Sequence, residues 1–371
     1  MERLAFDLTT VKLGDICTKG SSNIAQKDLE GNTGNYPIFG ASGLIKCVDF
    51  YKQEKEYIAI VKDGAGVGRT MILPAYSSVI GTMQYIFPKE NIDVKFLYYV
   101  LTWMNLSKYY TGATIPHIYF KDYKKEQFNL PSLEKQRHIA TILDKVSVLI
   151  ENRKKQLKNL DKLVKARFVE MFGNVISNSK NWSQYRFGDI TTSRLGKMLD
   201  SKQQTGKCSF PYLANFNVQW FRFELDKLNV MDFDEKDQKE FELIDGDLLV
   251  CEGGEIGRCA VWHNEMQPCF FQKALHRVRC NKDIVLPDYM AYWFKYNCDH
   301  NGFSDIAGAK ATIAHLPGAK LKKLIVTVPP LVLQHEFATF VEQIDKSKFE
   351  VQQSLEKLET LKKSLMQQNF G

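Results

Sequence analysis

The chain has 371 residues, 44% of them hydrophobic and 25% charged, which is enough for two or three separately cored domains and ordinary for a soluble globular protein. No run approaches the roughly 18 consecutive apolar residues of a membrane span. The opening Met1-Glu2-Arg3-Leu4-Ala5-Phe6-Asp7 is acidic early and lacks an apolar core, so no signal peptide and a cytoplasmic protein are expected. The eight cysteines follow no metal-site or disulfide spacing, and buried free thiols are the expectation. The net charge of +7 is matched by one stretch, 121–167, which holds thirteen Lys/Arg against six Asp/Glu. Such a stretch is either a phosphate footprint or a solvated helix face.

In chain order, nearly every predicted element occurs twice. Val11-Lys12-Leu13-Gly14-Asp15-Ile16 is answered by Tyr185-Arg186-Phe187-Gly188-Asp189-Ile190, and Tyr36-Pro37-Ile38 by Phe210-Pro211-Tyr212. Strands are predicted over 56–61 and 247–251, each running into a glycine-rich turn, Gly64-Ala65-Gly66-Val67-Gly68-Arg69 and Gly253-Gly254-Glu255-Ile256-Gly257-Arg258. Gln84 is set against Gln272. Short buried helices are predicted at 96–101 and 289–294. Thr114-Ile115-Pro116-His117 is answered by Thr312-Ile313-Ala314-His315. From there the correspondence is unbroken: Pro131 with Pro329, Gln136 with Gln334, Leu160 with Leu358, Phe172-Gly173 with Phe370-Gly371. The early part of the second copy has gained residues, as expected of two binding modules with one scaffold and different loops.

Each copy ends in one long helix, opened by Leu130-Pro131 and by Val328-Pro329-Pro330. Apolar positions spaced four and three apart form a seam in each: Ile139, Leu143, Val146, Ile150, Leu157, Leu160 and Val164, then Phe337, Val341, Ile344, Val351, Leu355, Leu358 and Leu365. Arg153, Arg167, Lys348 and Lys362 interrupt the seams, and their charges are expected to reach water along the methylenes. Helices of about 34 residues would make rods of about 50 Å. The predicted class is α/β (α+β), with modules at 1–130 and 174–328 and helices at 131–173 and 329–371.

No catalytic motif is found. Gly206-Lys207 is followed by Cys208 and lacks the rest of a phosphate loop. After Gly64–Gly68 comes a strand-like run, Thr70-Met71-Ile72-Leu73-Pro74, rather than a phosphate-cradling helix. There is no Asn-Pro-Pro-Tyr or Asp-Pro-Pro-Tyr tetrad, no GxSxG elbow, no HExxH and no nuclease carboxylate cluster.

Two tandem variable modules, each followed by a helix introduced by Leu130-Pro131-Ser132-Leu133-Glu134-Lys135-Gln136 or Val328-Pro329-Pro330-Leu331-Val332-Leu333-Gln334, resemble the specificity subunits of Type I restriction–modification enzymes. Leu13-Gly14-Asp15-Ile16 and the late Phe-Gly pairs also resemble that family; Ser132 departs from it at the second proline. The resemblance implies two target-recognition domains, each reading half of a bipartite, asymmetric site in double-stranded DNA. It implies an antiparallel helix pair as spacer, with approximate two-fold symmetry. The implied partners are two methyltransferase subunits with S-adenosylmethionine and ATP/Mg-dependent motor and endonuclease subunits; the chain itself would carry no cofactor, metal or catalytic centre. Two rival readings stay open: a fused methyltransferase or nuclease with unrecognised motifs, and an adaptor whose modules bind protein.

Base edges call for Arg, Lys, Asn and Gln, and phosphates for Lys, Ser and Thr. The candidates in the first copy are Lys19, Ser21 and Ser22 in a loop after the first strand, Lys46 and Arg69 at turns, and Gln84, Thr114, His117 and Lys121. In the second they are Arg194, Lys197, Asn215, Asn217, Arg258, Gln272, Lys273, Lys310, Thr312 and His315. Alternatively, Gln84 and Gln272 satisfy buried backbone, and the two histidines are core or capping groups. Positions repeated in both copies favour shared scaffold or phosphate contacts over base reading.

Overall fold

The computed structural model describes residues 9–112, 114–200, 204–303 and 315–371. Its contacts fall into two units, Met1–Gln156 with Val351–Gly371, and Leu157–Glu350.

In the first unit, strand Thr9–Lys12 leads into a single helical turn, Leu13–Ile16. The Lys12 N–H donates to the Asp15 carboxylate at 3.3 Å, a short cap for a short turn. Gly14 is glycine for a reason of space. Its N–H donates to the Lys124 carbonyl at 2.9 Å, and a Cβ there would stand 3.3 Å from the same oxygen. The second unit repeats this at Phe187–Ile190, where the Gly188 N–H donates to the Lys322 carbonyl at 3.1 Å. Leu13, Ile16, Phe187 and Ile190 are buried. The Gly-Asp-Ile motif thus clasps the start of each module to its end. Antiparallel strand pairs reinforce the clasp: Thr9–Lys12 with Gln127–Leu130, and Ser183–Arg186 with Ile325–Val328.

Between the clasps both modules follow one plan. A four-stranded antiparallel sheet runs Cys17–Ser21, Met83–Pro88, Tyr57–Val61, Thr70–Leu73 in the first. In the second it runs Thr191–Leu195, Leu275–Cys280, Leu248–Cys251, Cys259–Val261. The central strands Tyr57–Val61 and Leu248–Cys251 are buried at every residue, as strands covered on both faces must be. A three-stranded sheet accompanies each, Gly43–Val48, Tyr36–Gly40, Ser78–Val79 and Asn229–Asp232, Ser209–Leu213, Phe270–Phe271. The predicted buried helices are Val94–Trp103 and Pro287–Asp299. The residues gained by the second copy include a hairpin, Val218–Gln219 with Arg222–Phe223, and helix Glu235–Phe241, whose Asp237 N–H is capped by Asp234 at 2.8 Å.

The long helices are Leu133–Phe172 and Leu331–Phe370, 40 residues each, about 60 Å at 1.5 Å per residue and longer than the seam alone suggested. What starts them is the glutamine of each signature. Gln136 is 1% exposed and Gln334 0%. Gln334 accepts from the Leu286 N–H at 2.8 Å and donates to the Ile284 and Pro329 carbonyls at 3.0 and 2.8 Å. Gln136 does the same with Asp93, Asn91 and Pro131, at 2.9, 3.2 and 2.9 Å. One side chain therefore ties helix start, preceding strand and the entry to the short buried helix. Ser132, which replaces a proline, offers its hydroxyl to the Lys135 N–H at 3.5 Å, at the outer limit of an N-cap bond.

In the first unit Ile139, Leu143, Val146, Ile150, Val351 and Leu355 are buried, with Leu358 and Leu365 half-buried. Phe370 stands 5.5 Å edge-on to Phe96. In the second, Val164, Phe337 and Val341 are buried, with Leu157, Leu160 and Ile344 half-buried; Phe172 stands 5.0 Å edge-on to Tyr289. There the helix segments run antiparallel: Asp161 holds Lys348 at 2.8 Å, while Phe172 packs on Phe337 at 5.3 Å. The four seam cations are half-buried. Burial works against the Lys348 ammonium, but Asp161 and Asp345 outweigh it and raise its pKa. Lys362, over the Tyr99 ring at 5.6 Å, is held below the usual lysine range by burial and by Lys154. Arg153 bonds Gln156 at 2.8 Å, and Arg167 bonds Glu170 at 2.9 Å. Among the described residues no helix is long and apolar enough to cross a membrane, and no His/Cys/Asp/Glu group could hold a metal ion.

Candidate nucleic-acid interface

The glycine-rich turns are hairpin turns. Gly64, Gly66 and Gly68 take φ of 81°, 88° and 85°, the left-handed region that suits glycine. A Cβ on Gly68 would stand 2.5 Å from the Ser107 nitrogen. In the second unit Gly254 and Gly257 take 75° and 77°. The Gly206 turn closes on the chain's own acid: the Thr205 and Gly206 N–H groups donate to the Asp232 carboxylate at 2.5 and 2.8 Å. With the Ser209 and Thr205 hydroxyls, they hold that carboxyl well below its ordinary pKa.

Many of the polar residues proposed from sequence are occupied within the fold. Gln84 is 4% exposed and donates to the Tyr123 hydroxyl at 2.6 Å. Asn217, 1% exposed, accepts from Ala214 N–H and donates to the Glu224 and Lys227 carbonyls. Ser22 is buried and donates to Val79 at 2.5 Å. Lys197 is paired with Asp237 and donates to the Asp232 carbonyl. Arg258 donates to the Asn215 carbonyl and side-chain oxygen, both at 3.0 Å, while Asn215 donates to Gly253 at 2.9 Å. Lys46 lies in strand Gly43–Val48 rather than a turn and donates to Leu29 at 3.0 Å. These side chains have partners within the fold and hold its loops in shape.

Lys19 and Ser21 belong to strand Cys17–Ser21, not to a loop, and are exposed. Arg69 is exposed at the turn and donates to Ala41 at 2.8 Å. Thr114 and Lys121 are exposed, the latter 5.1 Å over the Tyr119 ring. Arg194 is exposed but ion-paired with Glu240. Lys273 is exposed, Gln272 half-buried and His315 exposed. Lys310 and Thr312 lie outside the described residues.

The pairing of Gln84 with Gln272 is corrected by strand register. Gln84 faces Ser21 and Ile60; in the second unit His276 faces Leu195 and Val250 in the same way. His276 bonds the Leu316 carbonyl at 3.0 Å, and burial pushes its imidazole below the ordinary range. The two histidines do correspond. His117 bridges Asp63, and His315 bridges Gly253, just beyond the equivalent central strands. The His117 ring also bonds the Asp63 carboxylate. The Tyr119 ring stands 4.1 Å from the His117 ring, and Tyr110, Ile115 and Tyr119 are 59%, 65% and 47% exposed.

The family model described as Type I restriction modification DNA specificity domain matches the chain twice, over residues 7–161 and 179–362. The chain is 23% identical over 339 residues to a putative type I restriction enzyme specificity subunit of Haemophilus influenzae, covering 87% of this chain and 84% of that one. It is 22% identical over 286 residues to the EcoKI specificity subunit of Escherichia coli, covering 71% of this chain and 61% of that one. The crystal structure of a Type I restriction–modification S subunit from M. genitalium shares its fold, with a TM-score of 0.66 at 16% identity over 100% of this chain and 98% of that one.

Proposed function

The chain belongs to the Type I restriction–modification DNA specificity family, and from that membership we propose that each of its modules reads one half of a bipartite, asymmetric DNA site. One observation carries the reading: a single sheet plan occurs twice in tandem, with different loops set upon it. Identical modules would read identical half-sites; these share a scaffold and differ in their loops. Specificity subunits are not catalytic. The chemistry is assigned to partners: two methyltransferase subunits with S-adenosylmethionine, and motor and endonuclease subunits using ATP and Mg, all acting on DNA in the cytoplasm. The purified chain, incubated with labelled methyl donor and host DNA, is expected to transfer no methyl group above background; transfer without a partner subunit would favour the fused-enzyme rival.

The two 40-residue helices, read as an antiparallel coiled coil with pseudo-two-fold symmetry, serve in this proposal as the spacer between half-sites. Support comes from the buried seam positions and from the antiparallel contacts within the second unit. Inserting four residues after Leu157 adds about one turn, 5.4 Å, against about 3.4 Å per base-pair step. The methylated site should keep both halves and gain a spacer of one to two base pairs. An active enzyme with an unaltered spacer would show that the helices do not set that distance.

A further inference from the structure

We propose that Lys362 is a site of acylation without an enzyme, and that the groove it lines takes a small acyl phosphate such as acetyl phosphate. The site lies wholly within the first unit and is independent of the DNA-recognition reading above. The groove has a volume of about 490 Å³, and Trp103, Ile150 and Met366 give it an apolar lining. Lys154, Lys362 and Lys363 also line it, against one carboxylate, Glu359. Lys154 already holds that carboxylate at 2.8 Å.

Lys362 differs from the other lysine in the seam of helix Leu331–Phe370. Lys348 has Asp161 at 2.8 Å and Asp345 at 3.2 Å. Lys362 has an aromatic face instead, its nitrogen lying 5.6 Å over the Tyr99 ring. The carboxylates around it are committed elsewhere: Asp144 accepts from Lys95 at 2.6 Å and from the Tyr99 hydroxyl at 2.7 Å, and Glu359 from Lys154. Burial, and then Lys154, hold the Lys362 ammonium below the usual lysine range, with Asp144 opposing them. A lysine so placed keeps a larger share of neutral amine, the only form with a lone pair to give.

An acyl phosphate suits this lining because its two ends want different surroundings. The anionic phosphate is drawn to the excess of ammonium groups over carboxylates, and the short acyl chain is matched by the apolar residues. The neutral Lys362 nitrogen attacks the acyl carbon and forms the C–N bond. The acyl C–O bond to phosphate breaks, inorganic phosphate leaves with that electron pair, and the extra proton on nitrogen passes to water. The product amide carries no charge, so the half-buried cation that Lys154 opposes is gone.

The test incubates the purified full chain with acetyl phosphate and follows acetylation of each lysine by mass spectrometry. Lys357 is the reference, exposed and on the same helix. Access alone would favour Lys357, whereas the groove should acetylate Lys362 several-fold faster. With phenyl acetate, a neutral donor, the ratio of Lys362 to Lys357 should fall, because no phosphate is held. Lys154→Gln should slow the reaction of Lys362 with acetyl phosphate several-fold and leave Lys357 unchanged. It removes a phosphate contact and the repulsion that favours the neutral amine, and it frees Glu359 to pair with Lys362. The rate at Lys362 should level off with rising pH below the ordinary lysine pKa of about 10.4; the charged or titratable groups around it are Lys154, Glu359, Lys363, Asp144, Tyr99 and Lys95. Lys362 acetylated no faster than Lys357 overturns the site, and an equal ratio with the two donors overturns the groove's hold on phosphate.

Discussion

Replacing Gln334 by alanine should lower the unfolding temperature of the second unit on the order of 10 °C, the equivalent of several kcal/mol in a unit of this size. The side chain is 0% exposed and makes three hydrogen bonds, from Leu286 and to Ile284 and Pro329. Alanine leaves one buried N–H and two carbonyls without a partner, each costing about 1–3 kcal/mol where water does not enter. Leucine should be no better than alanine, because volume is not what is lost. Hydrogen exchange localises the effect: protection should fall at the start of helix Leu331–Phe370 and at the entry to Pro287–Asp299. Gln136→Ala should do the same in the first unit, where Gln136 repeats the pattern at 1% exposure. An unfolding profile indistinguishable from wild type would show that the glutamine is not the fastening.

Those glutamines mark how far the sequence could be read. Their spacing from Pro131 and Pro329 identified the signature, but a string of residue names does not show that one amide spans helix, strand and the next helix's entry. The long helices were legible because an apolar period is local. So were the strands at 57–61 and 248–251, whose buried runs end in glycines at positive φ.

The polar candidates were not legible, because whether an amide or a cation is free depends on partners far along the chain. Lys197 is paired with Asp237, and Asn215 with Arg258. The first pair involves helix Glu235–Phe241, which the first copy lacks; the second repeats the bond from Arg69 to the Ala41 carbonyl in the first copy. Matching Gln84 to Gln272 followed the residue name, whereas strand register pairs Gln84 with His276. Two different side chains there do one job, bonding the segment that closes the module, at the Tyr123 hydroxyl and the Leu316 carbonyl. The Phe-Gly pairs were seen as a repeat and as part of the family resemblance, without a structural role. The structure gives them their role, with Phe172 against Tyr289 in the second unit and Phe370 against Phe96 in the first. No local pattern announces that the last residues of the chain pack with its first module.

The largest functional effect is expected from exchanging residues 1–130 for the corresponding module of a relative with a different site. The two modules have separate clasps, Gly14 on Lys124 and Gly188 on Lys322, and separate sheets, so the exchange should leave the second module's fold untouched. Specific protein–DNA complexes are tighter than non-specific ones by about 10³–10⁷. Preference at one half-site should therefore switch by orders of magnitude while the other half keeps its sequence. Methylome sequencing of a strain carrying the exchanged chain and its methyltransferase partners reads this directly. The account predicts methylated adenines in a new site whose first half is the donor's, whose second half is unchanged and whose spacer is unchanged. A site altered in both halves, or in neither, would contradict the claim that this chain is two independent readers on one scaffold.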